Sequence, residues 1–360
     1  MTELLNPRVS VVVNTYNHER FIARALQSVL QQDFTAEQLE TIVVDDGSSD
    51  GTFAIVESFG SRIHSIKKAN GGQVSAFHTG VAQAKGEIIA FLDGDDWWAQ
   101  DKIRRVVDAF DRFPNISAVG HGYYETDEDG RVQATMAPEF ECQLSLSNVD
   151  SARFAANMRI FGGTSRMAVR RSVLDRSLPV PSELPFFDNF IFTQAIAISG
   201  AVLLPDPLCY YRLHSANLYA SEAPDVARLR RKCLLERGLV RHLSERLSRL
   251  GVPRELISAT LESDEVDAER LRLLLDGGWP WETWRVERAD FAIAYRDPTL
   301  GYKVFKFCVL LLTLFMPPGM FYRLRRWYTE HKLARVRQRI GSAGLTVPDR
   351  VRRSVKSEQT

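Results

Sequence analysis

Phe91-Leu92-Asp93-Gly94-Asp95-Asp96-Trp97-Trp98 sets three carboxylates directly behind an apolar run. Carboxylates this close repel one another unless a metal, a cationic side chain or hydrogen-bond donors compensate them. Two more polar clusters follow apolar runs in the same way. Asn14-Thr15-Tyr16-Asn17 comes after Val9-Ser10-Val11-Val12-Val13, and Asp45-Asp46-Gly47-Ser48-Ser49-Asp50-Gly51 comes after Thr41-Ile42-Val43-Val44. Taken singly, each has a structural reading: Asp50 caps the helix that opens at Gly51-Thr52, and Asp45 satisfies buried backbone groups. Taken together they have a chemical one. Mg²⁺ is commonly held by one or two carboxylates plus substrate phosphates, and a nucleoside diphosphate supplies such phosphates.

These clusters need a scaffold that brings them to one edge. Val9 to Val13 is short and β-branched, and Asn17 then offers a cap for a helix with Phe21, Ile22, Ala25, Leu26, Val29 and Leu30 on one face. Further strand-like runs are Thr41 to Val44, Arg62 to Ile66, Ile88 to Leu92 and Ile116 to Val119, with helical patterns between most of them. Continuous apolar strands are covered on both faces. The expected fold class is therefore α/β, an open and mostly parallel sheet flanked by helices, which binds ligands beyond the carboxyl ends of its strands.

At 360 residues, 45 % of them hydrophobic, the chain is long enough for one principal domain with appendages. The net charge of +1 hides a split. Tyr302 to Lys356 holds thirteen Lys and Arg against Glu330 and Asp349, a net +11 that leaves −10 for the remainder. A basic segment of this kind seeks phosphates on nucleic acids or anionic membranes. Cys142, Cys209, Cys233 and Cys308 have neither metal-ligand nor redox spacing, and Met1 to Arg8 has no apolar signal core, so a reducing cytoplasm is expected.

The stretches "VSVVVNTYN", "IVVDDGSSDGT", "NGGQVSAFHTG", "AKGEIIAFLDGDD" and "YRLHSAN" resemble, in order, the signatures of family 2 glycosyltransferases, over about residues 8 to 220. The resemblance implies a GT-A fold and an inverting, metal-dependent transfer from a nucleoside-diphosphate sugar. It assigns Thr15, Tyr16, Asn17, Glu19, Asp46, Gly72, Gln73, Asp93 and Gly94 to the nucleotide-sugar site. It further implies that Asp95, with Asp93 and His214, holds Mn²⁺ or Mg²⁺ against the diphosphate. In such enzymes the base is usually the Asp of a Glu-Asp pair that opens a helix about twelve residues ahead of a Gly. "FFDNFIFTQAIAISG" places Asp188 twelve residues before Gly200, with Phe187 where the Glu is usual. Apolar neighbours would raise the pKa of such a carboxylate toward the working range of a base. His78 stands where Asn is usual and reads as a packed or surface histidine. Asp96 is expected to end the acidic loop structurally, and Trp97 and Trp98 to wall the site or pack in the core.

Beyond residue 220 the motifs stop. Ala227 to Leu250 has a helical Leu pattern, and further helices are expected after Pro253 and Ser263. In "VFKFCVLLLTLFMPPGMFYRLRRWY" the apolar core, Phe307 to Met316, is shorter than the ~20 residues of a spanning helix. Its aromatics followed by Arg323, Arg325 and Arg326 suit the surface of an anionic membrane, and the competing reading is a buried helix. Processive synthases of the superfamily pair Gln-x-x-Arg-Trp with several spanning helices, whereas Arg325-Arg326-Trp327 lacks the Gln. The expected organisation is a GT-A domain over 1–220, with a nucleotide-sugar half at about 8–120 and an acceptor half at about 121–220. A helical appendage comes next over 221–300 and an amphipathic, basic segment over 301–360.

The expected activity is non-processive transfer, in cell-surface polysaccharide or glycan biosynthesis, from a UDP- or dTDP-sugar to a glycan or lipid-linked acceptor. The expected location is the inner face of the cytoplasmic membrane, with no nucleic-acid partner. Two alternatives stand beside it: a nucleotidyltransferase, for which a Gly-rich, Lys/Arg-bearing loop after the first strand would be usual, and a catalytically silent protein that binds glycans or membranes. Acceptor choice falls in the stretch from about Glu125 to Pro185.

Overall fold

The computed structural model describes residues 7–184, 187–214, 226–294 and 300–325. Ten strands form one sheet: β1 (Val9–Thr15), β2 (Leu39–Asp45), β3 (His64–Lys67), β4 (Ile88–Asp93), β5 (Trp97–Trp98), β6 (Ala118–Thr126), β7 (Val132–Met136), β8 (Cys142–Leu144), β9 (Met167–Arg170) and β10 (Ala201–Arg212). Their spatial order is β3-β2-β1-β4-β9-β6-β10-β5, with β7 against β6 and β8 against β10. Strands β1 to β4 pair in parallel, whereas β9 runs antiparallel to both β4 and β6. The sheet is thus parallel in its first half and mixed beyond β4. Every residue of β1 is buried, as an apolar run covered on both faces requires.

The helices that cover the sheet and position the site are α1 (Ile22–Leu30), α2 (Thr52–Glu57), α3 (Gln73–Gln83), α4 (Lys102–Arg112), α5 (Val149–Met158), α6 (Arg171–Ser177) and α7 (Phe187–Ser199). Helix α1 buries Ile22, Ala25, Leu26 and Val29, the face its periodicity predicts. Its cap differs from expectation. The helix starts after Phe21 with no side-chain cap, while Asn17 takes φ +54° and its Oδ1 accepts from the Ser49 amide at 2.9 Å. Asn17 thus joins two loops rather than capping a helix. Helix α3 lies so close to the sheet that a Cβ at Gly80 would stand 2.3 Å from Val12 Cγ1.

Beyond the sheet stand helices α8 (Val226–Arg249), α9 (Arg254–Asp276), α10 (Pro280–Ala294) and α11 (Leu300–Phe315). The break expected at Ser263 does not occur, because Ser263-Asp264-Glu265 contains no Pro or Gly and α9 runs through it. Leu239, Leu243 and Leu247 of α8, with Ile257 and Leu261 of α9, belong to the main core. A smaller core joins Val266, Leu273 and Val286 to Phe321 and Tyr322. Arg325 pairs with Glu287 and, at 3.5 Å, with Asp290. Arg325 is thus paired with two acidic groups of α10. Residues 1–6, Phe186, Ser215 to Asn217 and the basic segment from Arg326 onward lie outside the described residues.

Candidate active site

Strand register explains why the three polar clusters meet. Asn14 of β1 stands beside Asp93 of β4, and Thr15 beside Asp45 of β2, so all three chains leave the sheet at one edge. A cleft of about 580 Å³ opens there. Its lining includes Tyr16, Asn17, His18, Asp46, Gly72, Gln73, Asp93, Asp95, Asp96, Arg166, Asp188 and Tyr211.

The loop after β1 is fastened to the loop after β2. The Asn17 amide donates to Ser48 Oγ at 2.9 Å, the His18 amide to Thr52 Oγ1 at 2.8 Å, and the Gly51 amide to Glu19 Oε2 at 2.7 Å. Asp50 accepts from the Thr52 amide at 3.0 Å at the start of α2, and Asp45 from the Ser48 amide at 3.2 Å, as their structural readings anticipate. Glu19 therefore points at Gly51 and is not part of the cleft lining. Thr15 is fully buried behind the cleft. Tyr16, by contrast, is exposed at the rim. Asp46 is buried and accepts from Lys68 Nζ and from the amides of Gly71 and Gly72, the latter at 2.7 Å. Gly72 sits at φ +82°, a left-handed conformation that favours glycine, and this turns its amide toward Asp46 ahead of α3.

The acidic loop divides its labour. Asp93 accepts from Asn14 Nδ2 and, at 2.8 Å, from Gln73 Nε2. Burial, then the neighbouring Asp95 charge, push its carboxyl up to about 7. Burial also acts upward on Asp95, but the hydrogen bond from His214 and the charges of His18 and His214 outweigh it and hold this carboxyl below its usual range. His214 Nε2 lies 3.0 Å and His18 Nε2 3.9 Å from Asp95 Oδ2. Gly94 makes this approach possible, since a Cβ there would stand 2.7 Å from Thr15 Oγ1 and 2.9 Å from His18 Nδ1. Asp96 accepts from the Arg212 amide at 3.0 Å and fixes the loop to β10, the structural role expected of it.

Asp188 reaches the cleft from the first turn of α7. Phe187 is fully buried, with ring centroids 4.7 Å from Phe77 and 5.0 Å from Phe91, so the position usual for Glu faces the core. Burial raises the pKa of Asp188, opposed by hydrogen bonds from the Asn189 and Thr164 amides and by the charge of Arg166. His78 is a packed histidine whose Nε2 accepts from the Val180 amide at 3.1 Å.

The 3-10 turn Thr164–Arg166 connects these groups, and sequence reasoning missed it. Ser165 Oγ accepts from the Asp93 amide at 3.0 Å, while its carbonyl accepts from Trp98 Nε1 at 2.9 Å and from Lys102 Nζ at 2.8 Å. Trp98 thus supports the site from beneath, and Trp97 stacks on Tyr210. The Arg166 guanidinium sits over the Tyr123 ring at 4.2 Å. No motif marks these residues. His18 was missed as well, although its place between Tyr16 and Glu19 at the sheet edge was a usable signal.

Two aspartate-bearing loops and a helix-borne carboxylate thus surround one cleft, on a sheet that is parallel in its first half and mixed beyond, an architecture consistent with the GT-A fold. Residues 10–178 match the family model of glycosyl transferase family 2. An uncharacterized glycosyltransferase of Nostoc sp. is 32 % identical over 224 residues, covering 60 % of this chain and 68 % of that protein. EpsJ, an uncharacterized glycosyltransferase of Bacillus subtilis, is 32 % identical over 177 residues, 48 % of this chain and 50 % of EpsJ. Two solved structures share the fold. S. aureus TarS 1–349 in complex with UDP-GlcNAc has a TM-score of 0.52 at 21 % identity, covering 78 % of this chain and 83 % of that one. The mannosyltransferase PcManGT of Pyrobaculum calidifontis, in complex with GDP-Man and Mn²⁺, has a TM-score of 0.52 at 21 % identity, covering 85 % and 80 %. The chain belongs to the family 2 glycosyltransferases and is a transferase enzyme.

Proposed function

We propose that this chain is an inverting, metal-dependent, non-processive glycosyltransferase that uses a nucleoside-diphosphate sugar, UDP- or dTDP-linked. The observation that carries the reading is the meeting of Asp46, Asp93 and Asp95 with Asp188 around one cleft. Tyr16, Asn17, Asp46, Gly72 and Gln73 hold the nucleotide, with Tyr16 as an aromatic face for the base. Thr15, Glu19 and Gly94 shape that pocket from behind.

Among the described residues no group of three or more His, Cys, Asp or Glu forms a metal cage by itself. That suits Mg²⁺ or Mn²⁺, which take one or two carboxylates plus substrate phosphates. The donor set also fits: Asp93 and Asp95 are half-buried neighbouring carboxylates, and the Asp95 charge, second to burial among the causes that push Asp93 up, is one that a cation would offset. Asp95 and Asp93 would hold such an ion together with the substrate phosphates, and His214, 3.0 Å from Asp95 Oδ2, would close over it; the ion would supply positive charge for the departing diphosphate. Asp188 takes the proton of the acceptor hydroxyl, and a base whose pKa is raised by burial is matched to that task. The charge of Arg166 opposes that upward push.

The acceptor is a glycan or lipid-linked hydroxyl, met at the inner face of the cytoplasmic membrane during cell-surface polysaccharide or glycan synthesis. Residues 1–220 form the catalytic unit, split near 120 between donor and acceptor, and the helices beyond carry it to its place of work. Incubation with a panel of nucleotide sugars and Mn²⁺, followed by ³¹P NMR, tests the reading. Nucleoside diphosphate release supports it; release of pyrophosphate or nucleoside monophosphate, or no turnover of any donor, overturns it.

A further inference from the structure

From Phe307 to Tyr322 the chain carries no charged residue, and the structure divides this stretch between two faces. Val309, Thr313 and Met316, spaced by four and three residues, face the small core of α9 and α10, with Thr313 fully buried. Phe307, Leu311 and Leu314 repeat the same spacing two residues earlier, about 200° around the helix, and lead into Phe315. These four are 61 %, 42 %, 40 % and 83 % exposed. A stripe of this kind on a helix that already has its inner partner is an interaction surface.

We propose that the outer face of α11 lies flat in the headgroup boundary of an anionic membrane and is the insertion surface of this protein. The inference deepens only the membrane part of the proposed function and does not depend on the donor chemistry. No helix among the described residues is long and apolar enough to cross a membrane, so the face enters sideways. The residues C-terminal to α11 select lipid over a second protein. Met320, Arg323 and Leu324 are exposed as well, and residues 326–360 add nine Lys and Arg against three acidic residues. So charged a segment makes a poor cover for an uncharged stripe, whereas apolar side chains with basic neighbours match an acyl boundary under anionic headgroups. Arg325 is held by Glu287 and Asp290, so the screened, charge-based part of the binding comes from Arg323 and the residues beyond, and the uncharged stripe supplies a part that salt does not screen.

Cys308 is exposed on this helix while Cys142, Cys209 and Cys233 are buried, so an environment-sensitive thiol dye marks the face selectively. The labelled full-length protein and unlabelled flotation samples are mixed with phosphatidylglycerol-containing vesicles at 0.1 and 0.5 M salt. The expected result is flotation that falls only partly at high salt, with a blue-shifted dye signal. Phe315→Ser with Leu311→Ser should lower partition by about tenfold or more, since each removes an inserting apolar side chain, and should leave melting and donor turnover in solution unchanged. Loss of donor turnover in the wild type with vesicle binding intact would sink the transferase chemistry alone. Three outcomes overturn the membrane face: no flotation of the wild type, flotation unchanged in the double variant, or a solution dimer that the double variant dissociates.

Discussion

Replacing Asp188 with Asn isolates proton acceptance from shape. The amide keeps an oxygen for the Asn189 amide, which Asp188 Oδ1 accepts at 2.8 Å, and leaves Phe187 against Phe77 and Phe91. Only the basic carboxylate is lost. General-base catalysis contributes roughly 10²–10⁴ in rate, and at ~1.4 kcal/mol per decade this is about 3–5 kcal/mol of barrier. Turnover should fall by that factor while the Kd for the nucleotide-sugar donor, measured by calorimetry, barely moves. The pH dependence carries a second signature. Burial raises the Asp188 pKa, and a base works deprotonated, so wild-type turnover is present above that raised pKa and is lost as pH falls through it. The Asn variant should lack this limb. Linkage gives a control: a carboxylate whose folded pKa is raised costs stability as pH climbs from its unfolded pKa of ~3.9 through the folded one. The variant should therefore melt no lower than wild type at neutral pH. Near-normal turnover, or a product that retains the anomeric configuration, would refute the assignment.

Asp95→Ala should abolish Mn²⁺-dependent binding of a nucleoside diphosphate in calorimetry and leave the melting curve cooperative. Gly94→Ala puts a methyl group 2.7 Å from Thr15 Oγ1 and should cost on the order of 10² in kcat/KM through misplacement of the acidic loop. Gly80→Ala drives α3 off Val12 and should destabilise by about 1–3 kcal/mol in urea without changing donor Kd in the folded fraction. His121 is buried and its pKa is held well down by burial and by Lys102. Below pH ~6.5 the unfolded chain takes up a proton that the folded one refuses, a loss of about 1.4 kcal/mol per pH unit that His121→Gln should remove from the stability profile.

The parallel half of the sheet was legible because its strands are uninterrupted apolar runs that end in polar clusters. That the acidic loop and Asp188 would come to one cleft was legible from motif and spacing. Ser165, Arg166 and Lys102 were not, because they act through tertiary contacts: a carbonyl held by Trp98 and Lys102, and a guanidinium held by tyrosine faces. Nothing local in Thr164-Ser165-Arg166 announces that β9 will run antiparallel beside β4 and set Ser165 against Asp93. The Asn17 cap failed for a related reason, since its side chain finds Ser49 across the loop before it can serve α1. At the C-terminal end, hydropathy gave an apolar helix but not which face was covered, and that depended on the packing of α9 and α10.

In the proposed mechanism one cleft binds a nucleotide sugar through the acidic loop and activates an acceptor through Asp188. Single-turnover release of nucleoside diphosphate from the accepted donor, in the presence of Mn²⁺ and an acceptor, tests it most directly across wild type, Asp95→Ala and Asp188→Asn. The expected result is rapid release by wild type, no metal-dependent donor binding in the first variant, and normal binding with slow release in the second. Equal release by wild type and Asp188→Asn, or metal-dependent binding that survives in Asp95→Ala, would contradict it.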